Sequence, residues 1–185
     1  MERYFHIYNR GAHKLPIFND QNDYWRFLQL LYISNSEIPF LTSCITQRNI
    51  FSIDRVGTLV NIIAYCLMPN HYHIFIQEKS PGGMTKFIRK LITAYTMYYN
   101  SKYDHSGTIF QGTYKAKSVT DEIYSSTLIN YIHLNPFGIT EPDLIIRNKA
   151  NYFKEAYDYS VKYEYSSLKD YLGEIRPQKN IIYRG

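Results

Sequence analysis

The sequence predicts an α+β fold, a ferredoxin-like sandwich with a central antiparallel sheet and helices on one face. Three observations predict it. The elements run β-α-β-β-α-β and then helix. Two apolar stretches, "TLVNIIAYCLM" (58–68) and "HYHIFIQ" (71–77), are separated by little more than Pro69-Asn70, which reads as an antiparallel hairpin. From Met84 to Tyr99, apolar residues recur at 3–4 spacing, the period of a helix with one buried face.

The elements follow in order. "RYFHIYNRG" alternates and is rich in β-formers, so it reads as a first strand ending at Gly11. "NDQNDYWRFLQLLYISN" reads as a helix capped by Asn19 or Asp20, with Tyr24, Phe27, Leu28, Leu31 and Tyr32 on one face. Residues 36–57 have no clean period and read as an irregular excursion before the hairpin. "SPGG" (80–83) breaks the chain ahead of the long helix, whose Lys86, Arg89, Lys90 and Lys102 fall off its apolar face. "DHSGTIFQG" (104–112) reads as a loop and "TYKAKSV" (113–119) as a strand. A helix opens at Thr120 or Asp121 and runs to about Leu134, where Asn135-Pro136 ends it. The remainder is polar and tyrosine-rich, with a short helix expected at "SSLKDYLG".

Composition bounds the function. At 185 residues and 45% apolar, the chain is long and hydrophobic enough for one domain with a real core. The net charge of +5 and pI of about 9.0 favour polyanionic partners. Twenty tyrosines fit a stacking surface for nucleic acid, and equally the codon usage of an AT-rich genome. Cys44 and Cys66 lack metal-type spacing and read as buried free thiols in a reducing cytosol. The N-terminus has no hydrophobic signal core and no apolar run is long enough to span a bilayer, so a cytoplasmic protein is expected, at the nucleoid when bound to DNA.

The chemistry concentrates in "MPNHYHIFIQ" (68–77). Side chains two apart on a strand share a face, so His71 and His73 point together while Tyr72 points away. Two imidazoles on a rigid strand can meet at one cation. A purely structural histidine pair has the same spacing. A metal site needs a further ligand and an open position. "YIHLNP" (131–136) offers the further ligand, and Tyr131 and Asn135, i and i+4 on a helix, share a face. Asn135 can lend a carboxamide oxygen, and Tyr131 then stands beside whatever the ion holds. A phenol with a pKa near 10 is a weak nucleophile until a cation favours the phenolate. Its attack on phosphorus would leave a phosphotyrosine that conserves the bond energy for rejoining. His133, between the two, points to another helix face and reads as surface.

"YCLMPNHYHIFIQ" followed about sixty residues later by "YIHLNP" resembles the single-tyrosine HUH transposases, and within them the REP-associated tyrosine transposases related to the insertion-sequence 200 group. "YNRGAHKLPIF" (8–18), "IFQGTYKAKSV" (109–119) and "YEYSSLKDYLG" (163–173) extend the resemblance. It implies a single domain over 1–173, an insertion at 36–57 and a C-terminal tail at 174–185. It implies a sheet that carries the histidines and a nearby helix that carries the nucleophile. His71, His73 and Asn135 would hold a divalent cation, Mg²⁺ or Mn²⁺. Tyr131 would attack a phosphate of hairpin-bearing single-stranded DNA, giving a 5′-phosphotyrosine and a free 3′-hydroxyl. Relatives act as monomers or as homodimers that exchange the tyrosine helix.

Single-stranded DNA binds basic grooves with aromatic platforms. Arg10, Lys14, Lys86, Arg89, Lys90, Lys115 and Lys117 are the basic candidates, and Lys115 and Lys117 share one strand face. Two rival readings remain: a non-catalytic hairpin DNA or RNA binder of the same fold, and a metal-dependent phosphodiesterase in which water attacks. A small-molecule metalloenzyme has little support, since no phosphate-binding glycine loop is present.

Overall fold

The computed structural model describes residues 2–39, 50–139 and 152–183. Cys44 and the 40–49 part of the expected insertion lie outside them. Four strands form one antiparallel sheet in the order β2-β3-β1-β4, the ferredoxin-like order. They are β1 (Arg3–Arg10), β2 (Val60–Met68), β3 (His71–Glu78) and β4 (Lys115–Val119). The hairpin turns at Pro69-Asn70, pairing Met68 with His71.

Helices α1 (Gln21–Ser34) and α2 (Gly83–Tyr103) cover one face of the sheet. Phe27, Leu28, Leu31, Phe87, Leu91 and Tyr95 meet Ile7, Tyr72, Ile74 and Ile76 in the main core. Asp20 caps α1 through a reciprocal box with Asp23. Asp23 is fully buried, and Lys102 and the phenols of Tyr98 and Tyr103 at the end of α2 bond to it, which ties the two helices together. Gly82 caps α2 at φ +83°, a conformation that favours glycine.

Helices lie on both faces, which corrects the one-face expectation. The third helix, α3 (Glu122–Leu134), covers the opposite side. There Leu128 and Ile132 pack on Ala64, Cys66, Met68 and Phe75, the residues that alternate with the main-core set. A bulge between Ile62 and Ala64 shifts the parity of β2. It places Tyr65 and Leu67 in the main core and Cys66 and Met68 on the α3 side. Cys66 is a buried free thiol.

The C-terminal segments cover the free side of β2. Tyr165–Ser167 runs along that strand: the amide of Leu67 donates to the Tyr165 carbonyl, and that of Ser167 to the Tyr65 carbonyl. Helix α4 (Phe153–Lys162) and the short helix α5 (Leu168–Tyr171) flank this run. Residues 174–183 are packed onto the domain. Arg176 is buried in a bidentate pair with Asp170, Ile181 and Ile182 join the main core, and the Tyr183 amide donates to the Ile62 carbonyl. From the excursion after α1, Ile50 and Phe51 also enter the core.

His133 is buried, not on the surface. Its Nε2 lies 2.8 Å from the Ser167 hydroxyl, so it pins α3 to the C-terminal run. Burial pushes its pKa down from 6.5 to about 4. Between those values only the unfolded chain takes up the proton. Stability is therefore full above pH 6.5, falls as pH drops toward 4, and loses nothing further from this group below that. The shift corresponds to on the order of 3 kcal/mol. We expect the melting temperature to fall steeply from pH 6.5 to 4, and His133→Gln to flatten that fall. A variant with the wild-type pH profile would contradict the assignment.

Candidate active site

The site lies on the α3 side of the sheet. Strand pairing sets Tyr8 opposite His73 and Arg10 opposite His71 on β1, and Lys115 opposite Tyr8 on β4. These side chains and Tyr131 line a cleft of about 430 Å³. The sequence-predicted histidines thus share a face, and their ring centroids are 5.2 Å apart.

The turn that carries His71 is clamped from the β1–α1 loop. The Gly11 amide donates to the Asn70 carbonyl, and the amides of Ile17 and Phe18 donate to that of Pro69. Gly11 must be glycine here, because an added Cβ would sit 2.1 Å from the Leu15 carbonyl oxygen. His13 and Lys14 both have positive φ, and the Lys14 carbonyl accepts from Asn70 Nδ2 at 3.1 Å.

Asn70 in turn orients His71. Its Oδ1 lies 2.7 Å from His71 Nδ1, and a carboxamide oxygen only accepts, so Nδ1 carries the hydrogen. Burial lowers the His71 pKa, so the ring is neutral at pH 7 and Nε2 holds a lone pair. That lone pair faces Asn135 Oδ1 across 3.2 Å. Two acceptors facing each other are unsatisfied without a positive partner. Adjacent ligands on an octahedral ion with bonds of about 2.1 Å lie about 3 Å apart, so this spacing suits a Mg²⁺-type cation. His73 is more deeply buried and its pKa is held well below 6.5, chiefly by burial and then by the charges of His71, His6 and Arg10. Both rings are neutral at pH 7 and so could serve as ligands. Among the described residues no three His, Cys, Asp or Glu side chains converge for one ion. The donor set here is two imidazoles and a carboxamide.

Tyr131 meets these histidines edge-on, its ring centroid 5.4 Å from that of His73 at 80°. It sits in the last turn of α3, and Asn135 keeps helical backbone angles just beyond it, so the i, i+4 relation survives. Burial raises the Tyr131 pKa, while a hydrogen bond to Asn135 and the charge of Arg10 pull it back. The phenol is therefore protonated at pH 7.

The seven basic candidates divide. Arg10 and Lys115 line the cleft, and Lys117, opposite His6 on the same sheet face, extends it along β4. Lys14 belongs to the clamping loop. Lys86, Arg89 and Lys90 are on α2 across the sheet, and Lys90 Nζ donates to the Ser36 carbonyl at 2.7 Å. The sequence reading missed Tyr8 and Gln111 on the cleft wall, and His6 and Asn70 behind the histidines. Alternation along β1 is a signal that places His6 and Tyr8 on one face. Nothing in the sequence distinguishes Asn70 from an ordinary turn residue.

Residues 49–135 match the model of the family described as IS200-like transposases. Among solved structures, a REP-associated tyrosine transposase bound to a REP hairpin superposes with a TM-score of 0.50 at 12% identity, covering 99% of this chain and 85% of that one. It shares the fold. A candidate transposase from Deinococcus radiodurans gives a TM-score of 0.44 at 13% identity over 71% of this chain and 89% of its own. No curated protein matches the sequence.

Proposed function

We propose, from the match of residues 49–135 to the IS200-like transposase family and from the geometry of the site, that the cleft nicks and rejoins hairpin-bearing single-stranded DNA through Tyr131. The observation that carries this reading is the convergence within one chain: Tyr131, His71, His73 and Asn135 meet at a single cleft edged by Arg10 and Lys115. Completion of the cleft within one chain supports a monomer that acts on its own. The neighbour of the same fold holds a REP hairpin, which supports a hairpin substrate. No described helix is long and apolar enough to cross a membrane.

Arg10 and Lys115 hold the scissile phosphate, and the aromatic wall of Tyr8 offers a stacking face. The Tyr131 oxygen attacks phosphorus. The bond to the 3′ oxygen breaks, and the phenolic proton is in effect exchanged for the proton of the leaving 3′-hydroxyl. The 5′ side remains attached to Tyr131. Attack by a 3′-hydroxyl on that linkage reverses the step and reseals a strand without ATP. His71, His73 and Asn135 would hold Mg²⁺ or Mn²⁺, whose Lewis acidity favours the phenolate and polarises the phosphoryl oxygen.

A denaturing gel tests this. Wild type mixed with a labelled hairpin oligonucleotide and Mn²⁺ or Mg²⁺ should yield a covalent protein–DNA band that chelator abolishes. DNA shifted in a native gel with no covalent band under either ion would favour the non-catalytic binder. Arg10→Ala and Lys115→Ala should each lower the slope of log affinity against log salt by about 0.7, the contribution of one phosphate contact to a single strand. Lys86→Ala and Arg89→Ala should leave it unchanged. An equal change there would place the DNA on the α2 face.

A further inference from the structure

We propose that His6 is a positioning residue: its Nε2 accepts the Nδ1–H of His73 and so turns the His73 Nε2 lone pair into the cleft. The inference rests on the cation reading above. His6 Nε2 and His73 Nδ1 are 2.9 Å apart, and the rings stack at 5.1 Å with planes 27° apart. Both residues are buried, at 6% and 7% exposure, so water does not compete for this contact. Strand register holds the pair. His6 faces Phe75 and Tyr8 faces His73, which makes His6 and His73 diagonal neighbours on one face of β1 and β3.

One hydrogen bridges the two nitrogens, and its direction decides what His73 can do. If His73 donates, its Nε2 is a lone pair beside that of His71. If His6 donates, His73 carries its hydrogen on Nε2 and cannot bind a cation. His71 has no such choice, because its partner at Nδ1 is a carboxamide oxygen. The two ligands are thus held differently: one fixed outright by the turn, the other conditionally by a second imidazole. Groups that hold ligand histidines in this way typically change metal affinity by about 10- to 100-fold when removed.

Calorimetric titration of the full chain with Mn²⁺, without DNA, tests the assignment. His6→Phe keeps a planar aromatic ring, slightly larger than imidazole, and removes the acceptor. Its Mn²⁺ affinity should fall by about 10- to 100-fold in a chain that still unfolds cooperatively, with a melting temperature several degrees lower because the His73 Nδ1–H loses its acceptor, and His6→Gln, which restores an acceptor, should recover part of both losses. Wild-type affinity in His6→Phe would overturn the role of His6. A wild type that binds no Mn²⁺, or binds it equally well as His71→Ala, would instead overturn the cation site beneath it. Should His6→Phe fail to fold, ¹⁵N imidazole spectra of wild type with a diamagnetic Mg²⁺ load decide: Nδ1–H on His73 supports the proposal and Nε2–H overturns it.

Discussion

Tyr131→Phe should abolish covalent capture of DNA while leaving hairpin affinity within about twofold of wild type. The change removes one oxygen and keeps the ring that packs edge-on against His73. What is lost is the proposed nucleophile and its bond to Asn135. Removing the nucleophile of a covalent mechanism costs several orders of magnitude, so cleavage should drop by at least about 10⁴-fold. Fold stability should change by no more than about 1 kcal/mol, since a half-buried hydroxyl is lost without a cavity. Single-turnover cleavage and a melting curve on the same preparation check both parts. Cleavage that persists, with no adduct, would assign the attack to water and make the protein a phosphodiesterase.

The second large effect is expected at the paired imidazoles. His71→Ala and His73→Ala should each lower cation-dependent cleavage by about 10³-fold or more, in the range of other losses of transition-state charge stabilisation. The two should differ in stability. His71 is only half-buried, and its replacement leaves Asn70 still bonded to the Lys14 carbonyl. His73 is buried against His6, so its loss strands a buried imidazole at a cost of about 1–3 kcal/mol. Raised Mn²⁺ should partly restore His71→Ala, because two of the three proposed ligands remain. Cleavage by wild type and both variants measured across a Mn²⁺ series checks this, with melting curves to separate stability from chemistry. Full activity in either variant would contradict the cation reading.

Much of this was legible in the sequence, for identifiable reasons. The strand-turn-strand around Pro69-Asn70 is short and apolar, so its period-2 pattern fixes which residues accompany His71 and His73. Tyr131 and Asn135 share a helix face by spacing alone, and the i, i+4 relation holds even though Asn135 lies one residue past the end of α3, because it keeps helical backbone angles. The core ferredoxin-like order followed from element sequence. Other features carry no local signal. The bulge at Ile62/Ala64 flips the parity of β2, so the alternation of "NIIAYC" does not reveal which side chains face α3. α4 docks through Ala156 and Ser160, small residues that leave no apolar stripe to read. His133 is buried only because Tyr165–Ser167 returns along β2, a contact between positions 34 apart. His6 and Asn70 act on the site through other histidines, and a role of that kind is set by tertiary contact rather than by spacing.

Two phenols line the cleft among the described residues, Tyr131 on α3 and Tyr8 on β1, and the proposed attack comes from the first. Proteolysis of the covalent adduct followed by mass spectrometry of the nucleotide-bearing peptide tests that assignment most directly. The prediction is a 5′-phosphate joined to Tyr131 in the peptide containing "YIHLNP". Attachment at Tyr8, or a linkage through the 3′ end of the DNA, would contradict it.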